Sequence, residues 1–241
     1  MSELLNGKTI LITGAARRIG KIFALACARA GADVAIHHAH SQDEADTVRA
    51  EIISLGRKAW VFQADLGDSS QAENLIPLVN DSTALYGLVN SAAIFESLSL
   101  ENTSLSDWQK HLQINLTAPF LLSQAFARQA QEGARIVNIV DWRALRPGAD
   151  HFPYTISKAA LASLTQSLAV ALSPTVIVNG LALGAILPPS DGNKNPDFIK
   201  NIPLKRWANE NEVEEALLFL LTCPAYITGE IIHVDGGRHL V

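Results

Sequence analysis

The chain has 241 residues, 48% of them hydrophobic and 6% aromatic, and a formal net charge of -5 at pH 7. That length admits one large α/β domain, the composition excludes a disordered chain, and an acidic balance without a basic run leaves no footprint for nucleic acid or an anionic membrane. Small-molecule chemistry is the expectation that remains, with no metal site.

Cys27 and Cys223 stand far apart, so both are expected to be reduced structural thiols. The opening MSELLNGKTILITGAA passes from a short polar lead into a β-rich run without a basic or cleavable region, which leads us to expect a cytoplasmic protein. The apolar stretch 161–172 is interrupted by Ser163, Thr165, Gln166 and Ser167 and reads as a packed helix rather than a membrane span.

Val- and Ile-rich runs alternate with segments of helical period along the whole chain, the pattern of repeated βαβ units. Strands are predicted near 8–13, 33–37, 59–63, 86–90, 134–140, 175–181 and 230–234, and helices near 18–30, 42–55, 69–79, 105–131, 152–172 and 210–222. The prediction is an α/β fold with a parallel sheet of about seven strands, in a single domain over 1–241.

The first strand runs through Thr13-Gly14-Ala15-Ala16-Arg17-Arg18-Ile19-Gly20 into a helix, the setting in which backbone N–H groups and the helix dipole receive a pyrophosphate. Gly14 allows the tight turn and Gly20 the close approach of helix and sheet, while Arg18 occupies the place of a middle glycine. These residues, with Arg17 and Ile19, form the expected cofactor loop.

The second strand ends in Ala35-Ile36-His37-His38-Ala39-His40-Ser41, with no acid at its tip to hold a ribose diol. Arg17, Arg18, His37, His40 and Ser41 offer charge and hydrogen-bond donors to a 2′-phosphate instead, so NADP(H) is expected rather than NAD. A solvated run of loop histidines is the alternative.

Asp65, followed by Leu66 after the third strand, caps the next turn or accepts from an adenine amino group. Asn90-Ser91-Ala92-Ala93 after the fourth strand is small enough for a sugar and ring to pass close to the backbone. In the long helix that follows, the Asn115 amide is suited to anchor a backbone carbonyl or a proton-relaying water, or to fill a structural role.

Tyr154 and Lys158 lie four residues apart on one helical face. Hydride transfer to a C=O or C=N bond leaves negative charge to be protonated, and a phenol can donate once an adjacent ammonium lowers its pKa. The pair is the expected proton-handling centre. Beyond the sixth strand, Gly184 and Ile186 are expected beside the cofactor. The segment 187–201, with Pro188, Pro189, Gly192 and Pro196, reads as a substrate flap or as a plain connector.

Taken together, Thr13-Gly14-x5-Gly20, Asp65, Asn90-Ser91-Ala92, Asn115, Tyr154-x3-Lys158 and Val234-Asp235-Gly236-Gly237 resemble the short-chain dehydrogenase/reductase family over nearly the whole chain. The resemblance implies a Rossmann-like doubly wound sheet, a nicotinamide cofactor, Tyr154 as acid/base and a homotetramer. Two positions depart from the family pattern. Leu183 precedes Gly184 where the family often has proline, and Asp141 follows the fifth strand where the family usually has a catalytic serine.

A carboxylate repels a developing oxyanion but accepts from N–H donors, so Asp141 suits a nitrogen heterocycle. Arg18, the run His37 to Ser41, Asp141, Tyr154 and the ending Asp235-Gly236-Gly237-Arg238-His239-Leu240 resemble the pteridine reductase branch, including dihydromonapterin reductases. There the resemblance implies a pterin stacked on an aromatic at Phe95 and bound among Arg18, Asp141 and Tyr154; ordinary loop packing of Phe95, or Trp142 as the aromatic wall, stays open. Two other readings also stay open: a carbonyl reductase for a 3-oxoacyl thioester or sugar ketone, and a non-catalytic NADP sensor or scaffold.

Overall fold

The structure is a computed structural model describing residues 4–188 and 197–241. Seven strands form one sheet: β1 (Thr9–Ile12), β2 (Asp33–His38), β3 (Ala59–Gln63), β4 (Gly87–Asn90), β5 (Ala134–Asp141), β6 (Val176–Leu183) and β7 (Ile231–Val234). Their order is β3-β2-β1-β4-β5-β6-β7 and every pairing is parallel. The doubly wound parallel sheet read from the sequence is therefore the observed fold.

Side-chain alternation divides the interior into two layers. Ile10 and Ile12 of β1 join Phe23, Val34, Ile36, Val137 and Leu217 on one face, whereas Leu11 joins Leu88, Phe126, Ile136 and Val178 on the other. Each such Leu, Ile or Phe, withdrawn from water, contributes about 1.5–3 kcal/mol. Helices α1 (Arg18–Arg29), α2 (Gln42–Ser54) and, later in the chain, α8 (Glu210–Thr222) cover the first face; α3 (Ser69–Asn80), α5 (Ala118–Ala127) and α6 (Phe152–Leu172) cover the second. Cys27 and Cys223 are buried free thiols.

The sheet grows outward from β1 to β3, then returns to place β4 on the other side of β1. Loops leaving β1 and β4 thus diverge in opposite directions and open a crevice at the carboxyl ends of the strands. The loop from Thr13 to Arg17, which follows β1, enters that crevice.

The single helix predicted over 105–131 is instead α4 (Leu105–Leu112), a π-helical segment Gln113–Thr117 and α5. Pro119 lacks the N–H that would bond the carbonyl four residues earlier, and the wider π turn takes up the mismatch. The segment 187–201 is also not wholly irregular, since a short helix α7 (Asp197–Lys200) closes it. Residues 189–196, the middle of the expected flap, lie outside the described residues.

Candidate active site

The turn after β1 is held from three sides. Thr13 Oγ1 accepts from the Ser91 and Ala92 amides, each at 2.9 Å, which ties the ends of β1 and β4 together. Gly14, at φ +67°, packs so closely on β4's exit that a Cβ would stand 3.0 Å from Ala92 Cα. At Gly20 a Cβ would stand 2.1 Å from the Gly14 carbonyl oxygen, so α1 can begin beside the loop only with glycine there.

Arg18 adopts φ 50°, the left-handed region expected of the glycine it replaces, at a cost of about 1–2 kcal/mol. Its guanidinium donates to the Pro188 carbonyl at 2.9 Å, bridging the loop after β1 to the chain after β6. Arg17 N-caps α1 without a side-chain cap bond and pairs with Glu44 in the first turn of α2.

His37 corrects the sequence reading. Its side chain is only 2% exposed, and it accepts from the Gly14 amide through Nδ1 at 3.1 Å while Nε2 faces the Ala64 carbonyl at 2.9 Å. Burial pulls its pKa down to about 4, so the ring is neutral and bridges the loops after β1 and β3 rather than meeting a phosphate as a cation. β2 is covered on both faces, and a histidine at its end completes the loop's hydrogen bonds. The donors left toward solvent are Arg17, Arg18, His40 and Ser41.

The side chains of several other residues expected at the cofactor are engaged within the protein. Leu66 and Ile186 are buried in the two apolar layers. Asp65 Oδ1 accepts from the Gly67 amide at 2.8 Å, the turn-capping role. The Asn90 side chain points inward, donating to Asn138 Oδ1 at 2.8 Å, and Asn138 donates on to Thr165 Oγ1 at 2.9 Å. Gly184 lets β6's exit lie against Asp235, whose Cα would be 2.6 Å from a Cβ.

The π segment directs Asn115 into the interior, fully buried. Its amide bonds both polar groups of the Ile94 backbone, at 2.9 and 3.1 Å, and donates to Ser157 Oγ at 3.0 Å. Of the roles open to it from the sequence, anchoring the backbone is the one observed. This fixes the loop carrying Phe95 against α6.

Tyr154 and Lys158 occupy successive turns of the buried face of α6. Lys158 Nζ donates to the Ile139 carbonyl at 2.6 Å and lies 5.8 Å from the Tyr154 ring centroid. Burial pulls its pKa down to about 8. The Tyr154 hydroxyl donates to Asp141 Oδ2 at 3.1 Å, and Asp141 Oδ1 accepts from the Arg143 amide at 2.8 Å.

Burial raises the Asp141 pKa, and burial reinforced by the Asp141 charge pushes Tyr154 well above the usual phenol range. Desolvation and the facing carboxylate work against the lowering of the phenol expected from Lys158 and favour the protonated tyrosine.

Phe95 is 54% exposed and meets the Tyr154 ring edge-on at 4.6 Å. One face is covered by His151, stacked at 4.0 Å, so the aromatic wall expected from Phe95 alone is a Phe95–His151 pair. His151 contacts Asp150 Oδ2 at 2.9 Å, and the same oxygen accepts from Arg143 at 2.8 Å. Sequence reasoning passed over Arg143, Asp150, His151 and Ser157. The Asp-x-Arg spacing of an Asx turn was a local signal, while the contacts to Phe95 and Asn115 join residues far apart in the chain.

A protein-family model described as Enoyl-(Acyl carrier protein) reductase matches residues 14–239. The 3-oxoacyl-[acyl-carrier-protein] reductase of Synechocystis sp. is 36% identical over 240 residues, covering 97% of each chain. The chain belongs to the short-chain dehydrogenase/reductase family.

Among short-chain dehydrogenases/reductases of known structure, one from Burkholderia cenocepacia in complex with NADP is 35% identical with a TM-score of 0.93, covering 98% of this chain and 99% of that one. FolM Alternative dihydrofolate reductase 1 from Brucella canis, complexed with NADP, is 32% identical with a TM-score of 0.90, covering 99% of this chain and 97% of that one. In this family member the position usually held by serine carries Asp141, already hydrogen-bonded to Tyr154.

Proposed function

We propose that the protein is an NADPH-dependent reductase of a dihydropterin-like substrate. The observation that carries this reading is the 3.1 Å hydrogen bond from the Tyr154 hydroxyl to Asp141 Oδ2. A carbonyl substrate needs a donor at the Asp141 position, whereas the amino and ring N–H groups of a pterin need an acceptor.

The residues present fit the cofactor. The glycine loop opens at the switch point between β1 and β4, Arg17 at the start of α1 makes no side-chain cap bond, and Arg17, Arg18, His40 and Ser41 face solvent where a 2′-phosphate would lie. Bound there, NADPH supplies the hydride. Arg17 must exchange Glu44 for the phosphate, Phe95 offers a ring face beside Tyr154, and Lys158 holds its ammonium against β5.

Asp141 orients the ring through its N–H groups. Tyr154 retains a proton on its oxygen beside a carboxylate whose pKa is raised, so a substrate nitrogen entering between them takes its proton from this pair. Similarity to FolM Alternative dihydrofolate reductase 1 supports the reading.

A second reading, reduction of a 3-oxoacyl thioester, is favoured by the Synechocystis relative. It requires Asp141 to be protonated so that it can donate to the carbonyl oxygen. The Asp141→Ser variant separates the two. Dihydropterin turnover with NADPH is expected to fall about 100-fold while carbonyl reduction rises; an unchanged dihydropterin rate overturns the role given to Asp141.

A further inference from the structure

Glu44 stands in the first turn of α2, and its carboxylate accepts from the guanidinium of Arg17, the N-cap of α1. Its own backbone N–H and then Arg17, with His38 nearby, hold the carboxyl below its usual range. First-turn N–H groups have no carbonyl within the helix to meet, so an oxygen anion placed there satisfies the backbone and the helix dipole together. The Glu44 carboxylate thus makes the two contacts that a phosphate group seeks, a guanidinium and a helix N-terminus.

One donor beside it remains unspent. His38 is only 2% exposed, and its Nδ1 accepts from the Ser41 N–H at 3.3 Å. The neutral ring therefore carries its proton on Nε2, which is buried and meets no acceptor among the described residues. A phosphate monoester offers three terminal oxygens to such a set of donors, where the carboxylate offers two.

The Arg17–Glu44 pair is not what docks α2. Lys21 and Glu51 join α1 to α2 separately at 2.7 Å, and Ala45, Val48 and Ile52 are buried in the apolar layer that α2 shares with α1. With side chains 60% and 43% exposed, Arg17 and Glu44 form an open pair of the kind that contributes little to stability. Such a contact can be exchanged without disturbing the fold.

We infer that Glu44 is a built-in occupant of the 2′-phosphate site, displaced from Arg17 when the phosphorylated cofactor binds and returned when it leaves. Resting on the phosphate placement proposed above, this makes Glu44 a specificity-determining residue that acts against NADPH. The phosphate must displace the carboxylate and then lie beside its charge, whereas NADH leaves the pair intact. Glu44 therefore holds the preference for NADPH below what the surrounding donors give without it, and it speeds departure of the oxidised cofactor.

The test uses the full-length protein and titrates NADPH and NADH by their nicotinamide fluorescence, reading the ratio of the two dissociation constants. Glu44→Gln keeps the size of the side chain and removes its charge. It should raise the preference for NADPH about five- to tenfold, an open ion pair and a neighbouring like charge each being worth up to about fivefold. Most of that gain should appear in stopped flow as slower release of NADP. Arg17→Gln should lower the preference, and Glu44→Gln added to it should gain much less, because no guanidinium is left to contest. Thermal melts show that each variant retains the fold.

A preference unchanged or lowered in folded Glu44→Gln overturns the inference, as does an equal gain in the Arg17→Gln background. If Arg17→Gln also leaves the preference untouched, the placement of the phosphate at Arg17 falls with it. If Arg17→Gln removes the preference while Glu44→Gln is silent, that placement stands and the role of Glu44 alone is refuted.

Discussion

Replacing His37 by leucine removes the clamp beneath the cofactor loop while keeping an apolar side chain of comparable bulk. Two buried groups lose their partners, the Gly14 amide and the Ala64 carbonyl. Each stranded group costs about 1–3 kcal/mol, so a loss of about 2–6 kcal/mol is expected at pH 7.5. The pH dependence carries the more specific signature.

In the fold the His37 pKa is lowered from 6.5 to about 4, so between those values the unfolded chain binds a proton that the native one refuses. The stabilisation due to the neutral ring is complete above pH 6.5 and is lost as the pH falls toward 4, a swing of about 3 kcal/mol. Leucine does not titrate. Urea melts followed by circular dichroism at pH 7.5, 6.0 and 4.5 should therefore show the gap between wild type and His37→Leu narrowing steadily toward acid. Parallel stability curves across that range would refute the buried neutral ring, as would a variant as stable as the wild type at pH 7.5.

Two further predictions concern the catalytic pair. Tyr154→Phe should lower kcat about 10²- to 10⁴-fold while NADPH binding, followed by fluorescence titration, stays nearly constant; unchanged turnover removes Tyr154 from the chemistry. Because burial lowers the Lys158 pKa from 10.5 to about 8, its ammonium is lost as the pH rises through about 8, and kcat/KM should decline on that alkaline limb. Stability moves the other way, gaining about 3 kcal/mol between pH 8 and 10.5 because there the unfolded chain binds the proton and the fold does not. A kcat/KM profile flat to pH 10 contradicts the assignment.

The strands were legible because a parallel sheet covered on both faces needs continuous Val/Ile runs, and β1, β4 and β6 are buried along their whole length. Tyr154 and Lys158 were legible because helical geometry alone places them on one face. His37 was misread for a related reason: a polar residue at a strand end reads as solvent-facing, and only the pairing of β2 with β1 and β3 shows that its ring closes a gap between loops. The π segment is the outcome of Asn115, Pro119 and the Ile94 backbone competing for position, a balance that helical periodicity does not encode. Arg143 and His151 meet Phe95, and Asp150 meets both of them, through contacts among the loops that precede α6.

The central claim, that Asp141 turns a carbonyl-reducing site toward a nitrogen heterocycle, is tested most directly by steady-state NADPH oxidation with the purified wild-type protein. Dihydropterin and 3-oxoacyl thioester substrates are compared side by side. The account predicts kcat/KM at least about 100-fold higher for the dihydropterin, a margin of roughly 2.7 kcal/mol in transition-state stabilisation. Turnover of the thioester alone contradicts it.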